Sequence, residues 1–262
     1  MALIHQIKFN DYDLTELVEE QDEGRPVRIN AQVVPKRHGA IISEAPVYGP
    51  RQIRLRGTIY GAEPDPVQDC RDQIGAIQEA CNNRRSQLTM FTDRYYNAYC
   101  TNFQYAYVKG SALQVANFAV EFVCDDPFAY SAVEPADVVR TLTDGDTPVD
   151  VTNNIYREQF TLTNNGNVFV YPIITVLATG GSVLNVVIRN LTTGHLQQYT
   201  GTILINTSLI INNNGFTVKN NLVSDLAGFS GHFIWLDPGE NTMQIEGTVP
   251  ATYTFDYMER FL

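Results

Sequence analysis

Alternating apolar and polar residues dominate the chain and predict a mainly β fold. Residues 95–107 and 112–122 form two such runs, joined by Lys109-Gly110. Because successive side chains of a strand point to opposite faces, residues of one parity lie on the same side of a sheet. The aromatic residues of the first run that share a parity are Tyr95, Tyr99, Phe103, Tyr105 and Tyr107. The pattern predicts a long antiparallel hairpin with one apolar face, which ends at Asp126-Pro127 because proline cannot donate to a ladder.

One amphipathic helix is predicted to begin at Pro66. Asp65 is a suitable N-cap, and proline is tolerated at the first helical position. Apolar residues then recur at helical spacing and form one stripe, which consists of Val67, Cys70, Ile74, Ile77 and Cys81. Arg84 and Arg85 are expected at the end of the helix, where cations complement its dipole. The stripe is expected to pack on a sheet.

Three further segments of the first half alternate and are predicted strands: residues 3–9, residues 26–34 and Arg51–Tyr60. In the last of them Arg54 and Arg56 face away from the apolar side. Residues 35–50 are predicted to be a long connection, and connections of that length are usually functional or involved in contacts.

Composition changes after Phe128 and suggests a division of the chain. Residues 1–130 are predicted to be the first domain, and residues 131–156, rich in Pro, Asp and Thr, an interdomain segment. From residue 157 to residue 262, short alternating runs lie between turn signals such as Asn212-Asn-Asn-Gly. Many short strands at this spacing predict a β-sandwich.

Composition limits the function further. The chain of 262 residues has a net charge of −11, which argues against binding nucleic acid by neutralising phosphates. No apolar run reaches the roughly 20 residues that span a bilayer, and no signal sequence is evident, so a cytoplasmic origin is expected. The four cysteines form no Cys-x-x-Cys pair and are expected to be buried thiols.

The residue types that carry catalysis form no recognisable motif. None of the four histidines accompanies a nucleophile motif or a zinc helix, and no glycine-rich phosphate loop is present. We therefore predict no catalytic, cofactor or metal site and expect that the protein is not an enzyme. One binding site remains an alternative, because Trp235 with Phe229, His232 and Phe233 could stack a sugar, although such aromatics are more often core.

The order of the motifs resembles that of a known family. An Arg-x-Ile-x-Leu-x-Gly-Thr-Ile strand at 51–59 precedes the helix, Leu88-Thr-Met-Phe-Thr-Asp-Arg-Tyr-Tyr and a hairpin ending in Phe122-Val-Cys-Asp-Asp-Pro-Phe128. Asn165-Gly-Asn and the Leu236-Asp-Pro-Gly-Glu-Asn turn follow. This arrangement resembles the distal tail proteins of bacteriophages with long non-contractile tails, over nearly the whole chain.

The resemblance implies an N-terminal tail-tube-like β-sandwich or barrel with one helix and a C-terminal galectin-like β-sandwich. It implies a hexameric ring at the tail tip that joins the tail tube protein to the tail hub, contacts the tape-measure protein and lets phage DNA pass. Assembly in the host bacterial cytoplasm, no cofactor and no membrane are expected. A carbohydrate-binding module for host-surface attachment is the alternative.

Five basic residues are the candidate subunit-interface residues. Lys36, Arg37 and His38 form a basic cluster in the long connection and suggest an arm lying on an acidic neighbouring subunit. Arg54 and Arg56 are the basic residues of the polar strand face. A solvated loop and a solvated strand face are the alternatives for these two groups.

Overall fold

The computed structural model describes residues 6–23, 27–28, 31–33, 40–42, 47–82, 85–133 and 137–262. The chain divides into two compact units, Met1–Ala132 and Val133–Leu262. Among the described residues one α-helix accompanies many antiparallel strands. The predicted fold class, mainly β with a single helix, is confirmed.

The N-terminal unit is built on one large antiparallel sheet. Its elements are β1 (Lys8–Phe9), β2 (Tyr12–Asp13), β3 (Val18–Glu23), β4 (Val27–Arg28), β5 (Ala31–Val33), β6 (Ala40–Ile42), β7 (Val47–Tyr48), β8 (Arg51–Tyr60), α1 (Pro66–Ala80), β9 (Arg85–Phe91), β10 (Arg94–Tyr107), β11 (Val115–Cys124) and β12 (Ala129–Ser131). The main sheet has the order β2-β1-β9-β10-β11-β8-β3, and β12 pairs with the start of β10.

Strand β8 shows how the alternating pattern forms the core of this sheet. Ile53, Leu55 and Ile59 are 0% exposed, whereas Arg54 and Arg56 lie on the opposite, exposed face. Val120 and Phe122 of β11 lie directly opposite Leu55 and Ile53 and are equally buried. The predicted inward and outward faces of β8 are therefore those of the structure.

Helix α1 begins as the sequence predicts. The Asp65 carboxylate accepts a hydrogen bond from the Gln68 backbone N–H at 3.1 Å, and Pro66 is the first helical residue. Cys70, Ile74 and Ile77 form its buried stripe. The prediction that Arg85 lies at the end of the helix is wrong. Arg85 begins β9, and its Nη2 atom lies 3.1 Å from Asp125 Oδ1. Strand β9 requires an extended backbone there, so the helix ends at Ala80.

The faces of β10 differ from the prediction. The register with β11 shifts between Cys100 and Asn102, which marks a β-bulge. An extra residue in one strand exchanges its two faces beyond that point. Tyr96, Ala98 and Cys100 are buried before the bulge, and Phe103, Tyr105 and Tyr107 continue their face after it. Tyr95 and Tyr99 therefore lie on the opposite face from those three aromatic residues.

Short paired strands occupy residues 27–28, 31–33, 40–42 and 47–48, where a strand over 26–34 and a long connection over 35–50 were expected. Strand β4 pairs with β7, and β5 pairs with β6 so that Ala31 lies opposite Ile42 and Val33 opposite Ala40. The interpretation of 35–50 as a connection without strands is therefore wrong. The three prolines of this segment favoured an irregular chain in the sequence, which hid the signal of the short strands β6 and β7. In the described part of the chain, these four strands pair only with each other.

The C-terminal unit contains two six-stranded antiparallel sheets. Its strands are β13 (Val138–Leu142), β14 (Thr147–Asp150), β15 (Ile155–Asn164), β16 (Ile173–Ala178), β17 (Val186–Asn190), β18 (His195–Tyr199), β19 (Ser208–Asn212), β20 (Thr217–Asn220), β21 (Val223–Ser224), β22 (Phe229–Gly231), β23 (Gly239–Thr248), β24 (Ala251–Asp256) and β25 (Arg260–Phe261). Strands β13 to β24 form the two sheets, in the orders β13-β24-β16-β19-β20-β21 and β14-β15-β23-β17-β18-β22. Thus β13 and β14 contribute residues of the stretch 131–156 to these sheets.

The core of the C-terminal unit contains two buried tyrosines with distinct polar partners. Tyr199 is 0% exposed, donates its hydroxyl proton to Asp225 at 2.5 Å and accepts from Asn220 at 2.8 Å. Tyr253 is also 0% exposed, and its hydroxyl donates to the Glu246 carbonyl at 3.2 Å. Their rings fill the interior while each hydroxyl keeps a partner, as buried tyrosines require.

Candidate functional site

The polar face of β8 holds two of the predicted interface residues. Arg54 Nε lies 3.1 Å from Glu121 Oε1, and the register places Asp22 of β3 opposite Arg54 on the other side. A cavity of about 220 Å³ lies between β3 and β8, and Gln21, Asp22, Arg54 and Arg56 line it. Both arginine residues are exposed on this face. The face can therefore offer guanidinium groups to an acidic partner.

The other predicted interface residues, Lys36, Arg37 and His38, lie outside the described residues. The backbone ladders on either side place them between β5 and β6 in the chain. The hypothesis that they contact a neighbouring subunit stays a prediction.

An open strand edge on β10 is a feature that the sequence analysis missed. In the described part of the chain, β9 pairs with residues 94–99 of β10 but not with residues 100–107. The Val108 N–H donates to the Val115 carbonyl opposite it at 2.9 Å. Since hydrogen-bonded and non-hydrogen-bonded pairs alternate in an antiparallel ladder, the backbone groups of Phe103, Tyr105 and Tyr107 point away from β11. We call residues 102–107 the open edge.

Aromatic side chains accompany the open edge. The ring of Tyr105 is 6.0 Å from that of Phe103 and 5.9 Å from that of Tyr107, measured between ring centroids. Tyr105 is 44% exposed. Unpaired backbone groups next to exposed rings form a template on which another strand can add. The alternation of aromatics in the sequence was the available signal, but the bulge concealed which of them share a face.

A continuous aromatic strip lies on the C-terminal unit. It consists of Phe169, Tyr171, Phe216, Phe229, Phe233 and Trp235. Neighbouring ring centroids along it are separated by 4.8 Å for Phe229 and Phe233, 5.3 Å for Phe233 and Phe216, and 5.9 Å for Phe216 and Tyr171. Trp235 lies 6.4 Å from both Tyr171 and Phe169. Exposure is greatest at Phe216 and Phe169, at 56% and 43%.

Polar contacts hold Trp235 in the strip. Its indole N–H donates to Asp237 Oδ1 at 3.1 Å, and its carbonyl accepts from the Asn190 amide at 2.8 Å. The His195 ring lies 3.8 Å from the indole ring, and His232 lies 5.7 Å from His195. The structure thus brings the predicted group of Trp235, Phe229, Phe233 and His232 into one neighbourhood. Phe169, Tyr171 and Phe216 were missed because they are distant in sequence.

Metal-ligand groups and membrane-spanning helices can be sought among the described residues. No group of three or more His, Cys, Asp or Glu side chains in this part of the chain could hold a metal ion. None of the helices described here is long and apolar enough to cross a membrane.

Comparisons with known proteins identify the class. Residues 165–261 match the family model of the SPP1 Dit type, described as "Siphovirus-type tail component, C-terminal domain". The whole chain is similar in structure to a phage SPP1 protein, with a TM-score of 0.68, 16% identity, and coverage of 99% of this chain and 100% of that chain. That protein is SPP1 Dit (gp 19.1), described as a paradigm of the hub adsorption apparatus in phages that infect Gram-positive bacteria. No curated protein matches the sequence.

Residues 165–261 therefore carry a siphovirus-type tail component domain, which supports a structural role in a phage tail. The domain match and the structural similarity both support the predicted resemblance to the distal tail proteins.

Proposed function

We propose that the protein is a tail-tip subunit whose N-terminal unit closes into a ring between the tail tube and the tip hub. The observation that carries this proposal is the open edge of β10, because an exposed edge is normally covered, and a neighbouring copy can cover it. Such a contact joins two different surfaces of neighbouring copies, which is a head-to-tail arrangement. Its repetition gives a closed ring when the rotation between neighbouring copies adds up to a full turn. A ring of six subunits is what the resemblance to the distal tail proteins implies. The contacts described above do not fix the number of subunits.

The partners follow from this position. The tail tube protein would lie on one side of the ring and the tail hub and tape-measure proteins on the other, with phage DNA as a passenger. The net charge of −11 repels the phosphates of DNA, and Arg54 is already paired with Glu121. DNA could therefore pass through the ring without binding to it. The protein would act in the virion tail tip after assembly in the host cytoplasm, and it would not be an enzyme.

Native mass spectrometry and electron microscopy of tails test the ring. We expect a closed oligomer at high protein concentration or a ring in the assembled tail. Tyr105→Pro removes an outward N–H without removing a hydrogen bond to β11, so it should give a folded but poorly assembling chain. Tyr105→Ala is the control, since it retains that N–H. Monomer at every concentration, together with tails that lack a ring, would overturn the proposal.

The aromatic strip favours carbohydrate binding as a second candidate function. Exposed rings such as Phe169 and Phe216 can stack on sugar faces, and the nearby Asp237 carboxylate and His232 can accept or donate hydrogen bonds. Trp235 is the only tryptophan of the chain, so its fluorescence reports on this strip alone. Titration with purified bacterial cell-wall polysaccharides should shift its emission if the strip binds sugar. This function would be rejected if no polysaccharide shifts the Trp235 emission. It would also be rejected if every shift persists in the Phe216→Ser variant.

A further inference from the structure

Two of the four cysteine thiols lie together in the N-terminal unit. Cys81 follows the last residue of α1, and Cys100 lies in β10 immediately before the bulge. None of the four cysteines is in a disulfide bond, and all four are buried. A hydrogen bond with the Cys100 side chain, followed by burial, raises the pKa of Cys81, and the same contact lowers the pKa of Cys100. The Cys100 thiol is therefore the better nucleophile of the two.

The two thiols also share an accessible cavity. Its volume is about 280 Å³, and it is lined by Gln78, Cys81, Asn82, Cys100, Thr101, Asn102 and Phe103. Gln78, Asn82 and Thr101 are exposed, so a small reagent can enter from solvent. Cys70 and Cys124 are 0% exposed and do not line this cavity. Access therefore distinguishes the pair from the other two cysteines.

The backbone around both cysteines departs from regular secondary structure and can adjust to the geometry of a disulfide. Sulfur atoms must come within about 2.05 Å, with Cβ atoms roughly 3.5–4.5 Å apart. Cys81 lies beyond the regular helix, and the bulge after Cys100 interrupts the regular ladder of β10. Neither residue is held by regular secondary structure on both sides, so a local adjustment need not disturb α1 or the sheet.

We propose that Cys81 and Cys100 form a reversible disulfide by exchange with a low-molecular-weight disulfide such as oxidised glutathione. The Cys100 thiolate attacks one sulfur of the reagent, which forms a mixed disulfide and releases one glutathione thiolate. The Cys81 thiol then loses its proton and attacks the Cys100 sulfur, which releases the second glutathione thiolate. Two protein thiols are oxidised and one external disulfide is reduced to two thiols.

The cross-link would connect the end of α1 to β10 beside the open edge. It would constrain the unfolded chain between the two cysteines, and so raise the melting temperature. It would also restrain the bulge that places Phe103, Tyr105 and Tyr107 on their face. The surface on which the proposed ring depends would then be more rigid in the oxidised protein. The chemistry itself does not depend on ring formation.

Mass spectrometry of the full chain after equilibration with oxidised glutathione tests the proposal. We expect a mass loss of two hydrogen atoms, reversed by dithiothreitol, and a higher melting temperature for the oxidised form. Arg84, Arg85 and Arg94 lie between the two cysteines, so trypsin separates them into peptides that only a disulfide can join. Under non-reducing conditions these peptides should travel together.

Two variants sharpen the test. Cys70→Ser should retain the cross-link, whereas Cys81→Ser should stop at a glutathione adduct on Cys100. If a serine variant fails to fold, the wild-type peptide map still decides. Alkylation of both Cys81 and Cys100 after glutathione treatment, a stable adduct on Cys100 of the wild type, or a cross-link between other cysteines would overturn the proposal.

Discussion

Position 57 in β8 has space only for glycine. A Cβ atom added there would lie 1.7 Å from the Leu17 carbonyl oxygen and 3.0 Å from Cε1 of Phe118. The first contact is with backbone, which cannot turn aside as a flexible side chain can. Glycine at this point therefore allows the turn before β3 to approach β8.

Gly57→Ala should consequently destabilise the N-terminal unit by roughly 1–3 kcal/mol, the range for overpacked interiors. Gly75 is the matched control, because a Cβ added there, inside α1, would have no atom within 4 Å apart from the helix's own backbone. Gly75→Ala should stabilise the protein by roughly 0.5–1 kcal/mol through helix propensity. Urea unfolding followed by circular dichroism gives both values, and equal effects of the two changes would contradict the argument.

Tyr199 should make the C-terminal unit sensitive to alkali. Burial, together with the hydrogen bond to Asp225, raises the pKa of Tyr199 to about 12, compared with about 10 in an unfolded chain. A raised folded pKa means that the folded state favours the neutral hydroxyl. Its stabilisation is therefore complete below about pH 10 and is lost as pH rises through about 12.

Tyr199→Phe tests this assignment. The variant should be less stable by about 1–2 kcal/mol at neutral pH, since Asp225 and Asn220 lose a partner. Its melting temperature should also fall less steeply than that of the wild type between about pH 10 and 12. Differential scanning calorimetry across this range provides the measurement, and parallel curves for the two proteins would assign the alkaline loss to other groups.

Elements with local signals were predicted well. Helix α1 follows from Asp65, Pro66 and one apolar stripe, all within a single segment. Strand β8 follows from strict alternation, and so does the polar face that carries Arg54 and Arg56. In both cases neighbouring residues contain the whole of the physical information.

Elements that depend on distant pairing were predicted poorly. The bulge after Cys100 is visible only through the register with β11, and a shift of one residue exchanged the faces of Tyr99 and Phe103. The prolines of segment 35–50 weakened the sequence signal of strands β6 and β7. Their pairing, β6 with β5 and β7 with β4, is visible only in the structure. The aromatic strip joins Phe169 and Phe216 to Trp235 only after folding.

The Arg54–Glu121 pair permits a test of the interface hypothesis at the level of the sheet. The two side chains are 51% and 39% exposed, so the pair should contribute at most about 1 kcal/mol to stability. The exchanged variant Arg54→Glu with Glu121→Arg should keep this contact and the wild-type melting temperature. If Arg54 also binds a neighbouring copy, the exchanged variant should assemble poorly.

Sedimentation or native mass spectrometry compares the assembly of the exchanged variant with that of the wild type. The single variant Arg54→Ala is the control for stability alone and should fold normally. Wild-type assembly by the exchanged variant would show that Arg54 acts only within its own sheet.

At the scale of the whole molecule, the C-terminal unit should fold as an independent domain. Its buried apolar cluster, from Leu142 to Tyr257, is contributed entirely by residues of that unit. A fragment of residues 133–262 therefore contains its complete core, and domains of about this size bury enough surface to be stable alone.

The fragment should show cooperative thermal unfolding and the same Trp235 fluorescence as the full chain. Ile188→Asp, which places a charge at a position that is 0% exposed, should abolish this behaviour and serves as the control. A fragment that has shifted emission and no cooperative transition would contradict the prediction.

The bulge and the open edge together imply an alternating pattern of amide hydrogen exchange. In the free chain, the amides of Phe103, Tyr105 and Tyr107 face solvent and should take up deuterium quickly. Those of Gln104 and Ala106 donate to β11 and should exchange slowly. Incorporation into a tail should slow exchange of the first set of amides and leave that of the second set nearly unchanged. Added protection at every second residue would therefore identify the strand edge that contacts a neighbouring copy.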